Sequence, residues 1–387
     1  MKRPMIPVEE YKERQKRAAN LLREANLDVL LVNGSESDYA NTRYFSGFWP
    51  LFERCGVAIN ADGETALLVG PESDIYAKDS SVIDDIFVLP EYRESADPSY
   101  PHLKLQNYHD VFKHLNVDAR NPKIGVASVL DTNVVMWQGL QNAFPEAEIV
   151  DARELMVALR ARKSDNEIEC LREAARITHK ATQKVIEAIR PGVTELQMVG
   201  VAQQAIYEEG AEYEGLPMYV FSGTSTRHAI SRPSYRKIEK GDIVQLNLSA
   251  KVDGYSPSIG MPISIGPLSD EARRFVQFVW DMHRWTEERI AVGVSASGLA
   301  RDFESRFAEL GYQQSYVYGP CHGLGLIEVE PPWMETDSTF DLEENMTFQI
   351  DTFAKSTNYG VRWEKPIVVR SQYAESLAPE IGQIFEI

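Results

Sequence analysis

Apolar residues recur every three to four positions from Val8 to Asn26. Tyr11, Ala18, Leu21, Leu22 and Ala25 are separated by Lys, Arg and Glu, the pattern of an amphipathic helix. Short apolar runs follow at Asp28 to Val32, Val57 to Ile59, Thr65 to Val69, Ile86 to Leu89, Ile124 to Val126 and Ile149-Val150, each of strand length. The Asp62-Gly63 pair between the second and third runs marks a hairpin turn. Helical patterns at Leu103 to Leu115 and Asn133 to Phe144 lie between later strands, so residues 1–152 read as an α/β domain.

Residues 153–387 read differently. Ser164-Asp165-Asn166-Glu167 and Thr194 to Gln197 are capping-box patterns, in which a side chain at each end of the first turn satisfies an orphan backbone N–H. They open helices running to about Ile189 and Glu209, and a third helix covers Ala272 to Ile290. An internal repeat is visible. Ile189-Arg190-Pro191-Gly192-Val193-Thr194 is echoed 101 residues later by Ile290 to Ser295, and Val244-Gln245-Leu246-Asn247 is echoed 104 residues later by Phe348-Gln349-Ile350-Asp351. Two half-domains related by a pseudo-twofold axis are expected, with Asn247 and Asp351 meeting in a central cleft. After an expected strand at Tyr312 to Tyr318, His322 stands among Gly319, Gly323 and Gly325, with backbone free to approach a bound group. Asp351 ends an apolar run and needs a cation, a metal or hydrogen-bond donors. Arg362 is one possible partner. Glu364 stands in a second apolar run, beside Lys365.

Charge narrows the function classes. Forty Lys and Arg against 58 Asp and Glu leave a net charge of −18, which argues against nucleic acid and anionic membranes as partners. Cys55, Cys170 and Cys321 are odd in number and widely spaced, so neither a disulfide framework nor a zinc knuckle is expected. No apolar run reaches membrane-spanning length and no signal-peptide pattern follows Met1, so a cytoplasmic location is expected.

Several stretches together resemble the creatinase/prolidase/methionine-aminopeptidase family. They are Leu159 to Ile168, Lys240-Gly241-Asp242-Ile243-Val244, Asp253-Gly254-Tyr255, His322-Gly323-Leu324-Gly325 with Glu330-Pro331-Pro332, and Gly360-Val361-Arg362-Trp363-Glu364. The resemblance covers nearly the whole chain. It implies an α+β protein, with a creatinase-type α/β N-terminal domain and a pita-bread C-terminal domain of pseudo-twofold symmetry. Peptidases of the family hold two metal ions with Asp, Asp, His, Glu and Glu. In this chain those positions are Asn247, Ser258, His322, Asp351 and Glu364, and Val329 stands where proline-specific members carry a second histidine. A two-ion site needs carboxylates from both halves, and Asn and Ser supply no charge.

The resemblance is strongest to creatinase, which works without metal. It implies hydrolysis of a C–N bond in a small zwitterionic nitrogen compound, creatine- or ectoine-like, with no cofactor. His228 would be the acid/base, and Glu364, Asp351 and His322 would act on the cationic centre. Asn247, Ser258 and Arg362 would line the substrate site. Phe52 and Arg54 match a creatinase segment that meets the substrate carboxylate and reaches a neighbouring subunit's cleft, implying a homodimer. Two alternatives stand beside this reading. One is a mononuclear metallohydrolase or Xaa-Pro-type peptidase with one divalent ion on His322, Asp351 and Glu364. The other is an inactive binding protein of the same fold.

Overall fold

The computed structural model describes residues 3–94, 99–118, 120–378 and 385–387. Two compact units divide at Arg160/Ala161, eight residues beyond the boundary expected from the sequence. The reason is a short helix, Arg153–Arg160, that belongs to the first unit: its Leu159 carbonyl accepts hydrogen bonds from Arg17 and Tyr44. Among the described residues no helix is long and apolar enough to cross a membrane.

The first unit, Ile6–Arg160, is built on strands β1 (Val29–Gly34), β2 (Cys55–Asn60), β3 (Thr65–Val69), β4 (Ile86–Val88), β5 (Lys123–Val126) and β6 (Glu148–Asp151). They form one mixed sheet in the order β4-β3-β2-β1-β5-β6. The expected hairpin joins β2 to β3, and Asn60 closes it by accepting from the backbone of Asp62 and Glu64. Helices α1 (Val8–Glu24), α2 (Ala40–Ser46), α3 (Asp74–Ser80), α4 (Tyr108–His114), α5 (Val134–Ala143) and α6 (Arg153–Arg160) complete it. Helix α4 starts five residues later than the hydrophobic pattern suggests, because Asn107 and Asp110 form a capping box there. Val29, Leu31, Leu68, Phe112, Ile124 and Phe144 meet in its core.

The second unit carries the repeat. Its first half is α7 (Asp165–Ala188), α8 (Glu195–Glu208), β7 (Tyr219–Ser222), β8 (Ile243–Ser249) and β9 (Ser258–Ser264). Its second half is α9 (Asp270–Glu287), α10 (Ala296–Glu309), β10 (Cys321–Gly323), β11 (Glu330–Met334), β12 (Thr347–Lys355) and β13 (Gly360–Val369). Short strands β14 (Ala374–Ser376) and β15 (Phe385–Glu386) pair with β13 and β9. Both capping boxes form as the sequence indicates, at Ser164/Glu167 and Thr194/Gln197. The main sheet runs β11-β10-β12-β13-β9-β8-β7, so the two halves join at the β13–β9 pair. The strand expected at Tyr312 to Tyr318 does not form. Gln313–Ser315 is a short 3-10 turn whose aromatic neighbour Tyr312 stacks on Phe278 of α9.

Strand register sets what the sheet can do. Side chains directly opposite one another share a face, and a face recurs every second residue. His322 is opposite Gln349, Asp351 is opposite Glu364, Glu364 is opposite Gly260, and Gly260 is opposite Asn247. His322, Gln349, Asp351, Arg362, Glu364, Ser258 and Asn247 therefore stand on one face. The alternate residues Cys321, Phe348, Ile350 and Ile367 turn the other way, into a core with Ile290, Ala296 and Leu299. Trp363 is on this second face and packs on Trp280 of α9, so it is a core residue.

Candidate active site

Glu364 is the centre of the polar face. Its approach depends on Gly260: a Cβ there would lie 2.7 Å from the Glu364 Cβ. Its carboxylate receives Asn247 Nδ2 at 2.6 Å, Ser258 Oγ at 2.8 Å and Gln349 Nε2 at 3.1 Å. These neutral donors take up as many as three of the four lone-pair sites of the carboxylate. Burial alone would push Glu364 up, but His322 and Arg362 hold it well below the usual carboxylate range.

His322 Nδ1 lies 3.0 Å from the Gly323 carbonyl. A carbonyl only accepts, so Nδ1 carries the proton, and Nε2 points toward two carboxylates. One is Glu364 at 3.7 Å. The other is Glu328 at 3.9 Å. Burial opposes charge on His322, but Glu364 and Glu328 overcome it and carry the imidazole up to about 9. Glu328 is pushed well above its usual range by burial and by the charge of Glu364. Ser258 Oγ lies 2.9 Å from Glu328 and 2.8 Å from Glu364, so one hydroxyl proton serves both carboxylates.

A lone pair and two carboxylates facing one another need positive charge between them, either a proton or a metal ion. His322, Glu328 and Glu364 each offer one ligand atom, all within 4.8 Å of one another, and one His with two carboxylates is a sound three-ligand set. The residues thus fit one divalent ion. They do not fit two, because Asn247 and Ser258 spend their hydrogen bonds on Glu364 and bring no charge.

The ligand set expected from sequence needs correction at Asp351. Its carboxylate pairs with Arg362 Nε at 3.1 Å and accepts Tyr318 OH at 2.7 Å, so it is committed to its neighbours. Arg362 Nη2 in turn donates to Tyr318 OH and to the Ala229 carbonyl. Asn247 and Asp351 do share the face, but on either side of Glu364, and do not touch through it as a facing pair. His228 also departs from expectation. It is exposed, its Nδ1 lies 3.3 Å from Ser231 Oγ, and it stays outside the buried cluster, although Ala229 next to it meets Arg362. Phe52 and Arg54 keep their described contacts within the first unit. Phe52 is 76% exposed with φ 60°, and Arg54 Nη1 donates to the Asp131 carbonyl. Trp333 lies opposite His322 with ring centroids 5.5 Å apart and forms a wall of the site.

Glu328 is the residue that sequence reasoning missed. Its signal was a lone carboxylate in the otherwise apolar stretch Leu326-Ile327-Glu328-Val329, six residues after His322.

Residues 169–371 match the family described as Metallopeptidase family M24, and residues 14–162 match the Creatinase/Prolidase N-terminal domain. The chain belongs to metallopeptidase family M24. Among its relatives, the "Uncharacterized peptidase YqhT" of Bacillus subtilis is 30% identical over 231 residues, spanning 58% of this chain and 64% of that protein. The "Xaa-Pro dipeptidase" of Pyrococcus furiosus is 24% identical over 95% of this chain and 97% of its own length. The "Creatinase" of Bacillus sp. strain B-0618 is 25% identical over 84% and 77%. The crystal structure of the X-Pro aminopeptidase of Thermotoga maritima superposes with a TM-score of 0.82 at 22% identity, covering 96% of this chain and 99% of that one. The M24 fold is thereby shown, with its pita-bread domain. Peptidases prevail among these relatives of the M24 chain, which shifts the balance away from the creatine-like substrate expected from sequence.

Proposed function

We propose that this M24 chain hydrolyses the C–N bond of a small dipeptide-like substrate at a site that holds one divalent ion. The observation that carries this reading is the convergence of His322 Nε2, Glu328 and Glu364 within 4.8 Å, with His322 Nδ1 committed to Gly323. His322, Glu328 and Glu364 would hold the ion. A divalent ion supplies Lewis-acid polarisation and an activated water in such a site. Asn247, Ser258 and Gln349 fix the Glu364 carboxylate in one orientation. Arg362 is buried, and its Nε and Nη2 are engaged by Asp351, Tyr318 and Ala229. The Nη1 corner takes no part in these contacts and suits a substrate carboxylate, for which the guanidinium fork is shaped. The Phe353 and Tyr219 rings lie over this guanidinium and, with Trp333, give the substrate apolar walls.

A second reading rests on the three neutral donors around Glu364. They satisfy it without any ion, and an imidazole carried up to about 9 balances its charge. In that case the site works by proton transfer on an amidine-like substrate, as the sequence expectation has it. One experiment separates the two: metal content of the purified chain, followed by a panel of Xaa-Pro and other dipeptides beside creatine and cyclic amidines. About one ion per chain, with dipeptide hydrolysis abolished by chelator and restored by Mn²⁺ or Zn²⁺, supports the first. Amidine turnover that survives chelation overturns it. The homodimer belongs to the same proposal, with the Phe52 and Arg54 loop offered to a partner subunit.

A further inference from the structure

Beside Ser258, where the family resemblance implies a carboxylate, a turn brings one in. Glu328 sits between β10 and β11, and its Oε1 is 2.9 Å from the Ser258 hydroxyl. A turn is a soft support for a ligand that must be held to within about half an ångström, so something must stiffen it. At its first end the turn is tied down: Leu324 N donates to Thr347 O, Thr347 Oγ1 donates to Leu324 O, and Ser256 N donates to Gly325 O. Beyond Gly325 the support comes from Glu330. Its carboxylate folds back under the turn, where Oε2 accepts Ile327 N at 3.4 Å, one residue before Glu328. A Cβ at Gly325 would run into this carboxylate, so glycine is required there for the fold-back. The other oxygen, Oε1, accepts Lys163 Nζ at 2.9 Å, and both side chains are almost fully buried, at 2% and 3% exposure. Lys163 itself is anchored through its N–H to the Asn345 carbonyl.

We infer that the buried Lys163–Glu330 pair is the positioning device for Glu328, and so sets the ion affinity of the site from outside it. A buried ion pair is weak evidence for stability, since apolar residues of the same size often do as well. Its value here is directional. Lys163 fixes where the Glu330 carboxylate can lie, and Glu330 fixes the backbone that presents Glu328. Neither residue is among the three that would hold the ion. This inference rests on the one-ion reading above.

The test measures Mn²⁺ and Zn²⁺ binding by isothermal titration calorimetry, with a thermal melt of each apo protein alongside. The proteins are wild type, E328Q, K163R, and K163M/E330Q, the last removing both charges together so that no unpaired charge is left buried. Supporting groups of this kind typically contribute 10- to 100-fold in metal affinity. The expected result is an ion affinity at least about 10-fold weaker in K163M/E330Q with a cooperative melt retained, little change in K163R, and loss of the ion in E328Q. Wild-type affinity in a folded K163M/E330Q, while E328Q loses the ion, overturns this inference alone. An ion bound by neither wild type nor any variant overturns the one-ion reading and this inference with it. If K163M/E330Q does not melt cooperatively, K163M/E330M serves as the apolar replacement, read in the same way.

Discussion

At the scale of single residues, the site is shaped as much by what is missing as by what is present. Glu364 reaches its place because Gly260 has no side chain, with only 2.7 Å available to a Cβ. Gly260→Ala should displace Glu364 by a few tenths of an ångström or more, while leaving the strand paired. Misplacement on this scale costs turnover steeply, so at least a 10-fold fall in kcat is expected, approaching ~100-fold for a full ångström. Thermal stability should fall far less. Steady-state kinetics and a melt on the same preparation check this, and an unchanged kcat would show that Glu364 has no exact position to keep. His322, Glu364, Asn247 and Ser258 were legible in the sequence because they stand in short local motifs that resemble the family's ligand positions. Glu328 was not, because it stands in a turn outside those motifs: where its side chain points depends on Glu330 and Lys163, the latter more than 160 residues away in the chain. Asp351 carried two readings, a metal ligand and a partner of Arg362, and the strand pattern did not choose between them. Its strand position was read correctly, but its partner Arg362 lies on the neighbouring strand and claims the carboxylate.

At the scale of elements, the caps were the most readable feature. Ser164/Glu167 and Thr194/Gln197 form because the interaction closes within four residues. Helix α9 shows what a local pattern leaves out. Its His283 is fully buried against the non-catalytic face of the sheet, stacked on Trp280. Burial, helped by Lys365 and Arg284, lowers its pKa from 6.5 to about 3. In the unfolded chain this histidine takes up a proton below about 6.5, whereas in the folded chain it does not until about 3. The unfolded state therefore holds more protons between those values, and stability declines as pH falls through that window, by up to roughly 5 kcal/mol from this one group. Above pH 6.5 the effect is absent. His283→Phe should flatten the acid limb of a stability-against-pH curve measured by urea melts. Curves that stay parallel for the two proteins would show that His283 does not contribute to it.

At the scale of the whole molecule, the two halves of the pita-bread repeat meet at β13 and β9, so the site is assembled from both and belongs to neither. The first unit presents an exposed apolar tip, with Leu51 55% and Phe52 76% exposed. This pair is the part of the proposed homodimer loop that a partner subunit would cover. Sedimentation should give about twice the 43.7 kDa mass of one chain, and Phe52→Asp should move the particle toward the single-chain mass. A wild-type protein that sediments as one chain at micromolar concentration removes the dimer from the proposal.

The two-residue beat of β13 has a consequence for how this molecule can change. Arg362 and Glu364 address the substrate side, while Val361, Trp363, Ile367 and Val369 hold the helices. A library of substitutions along this strand should therefore sort into two interleaved classes, one lowering cellular abundance and the other lowering turnover at normal abundance. Selection acting on chemistry can then rewrite every other letter of the strand while the scaffold goes unedited, and the same alternation on β8 and β9 lets Asn247 and Ser258 stand in an intact sheet at positions where the family resemblance implies acids.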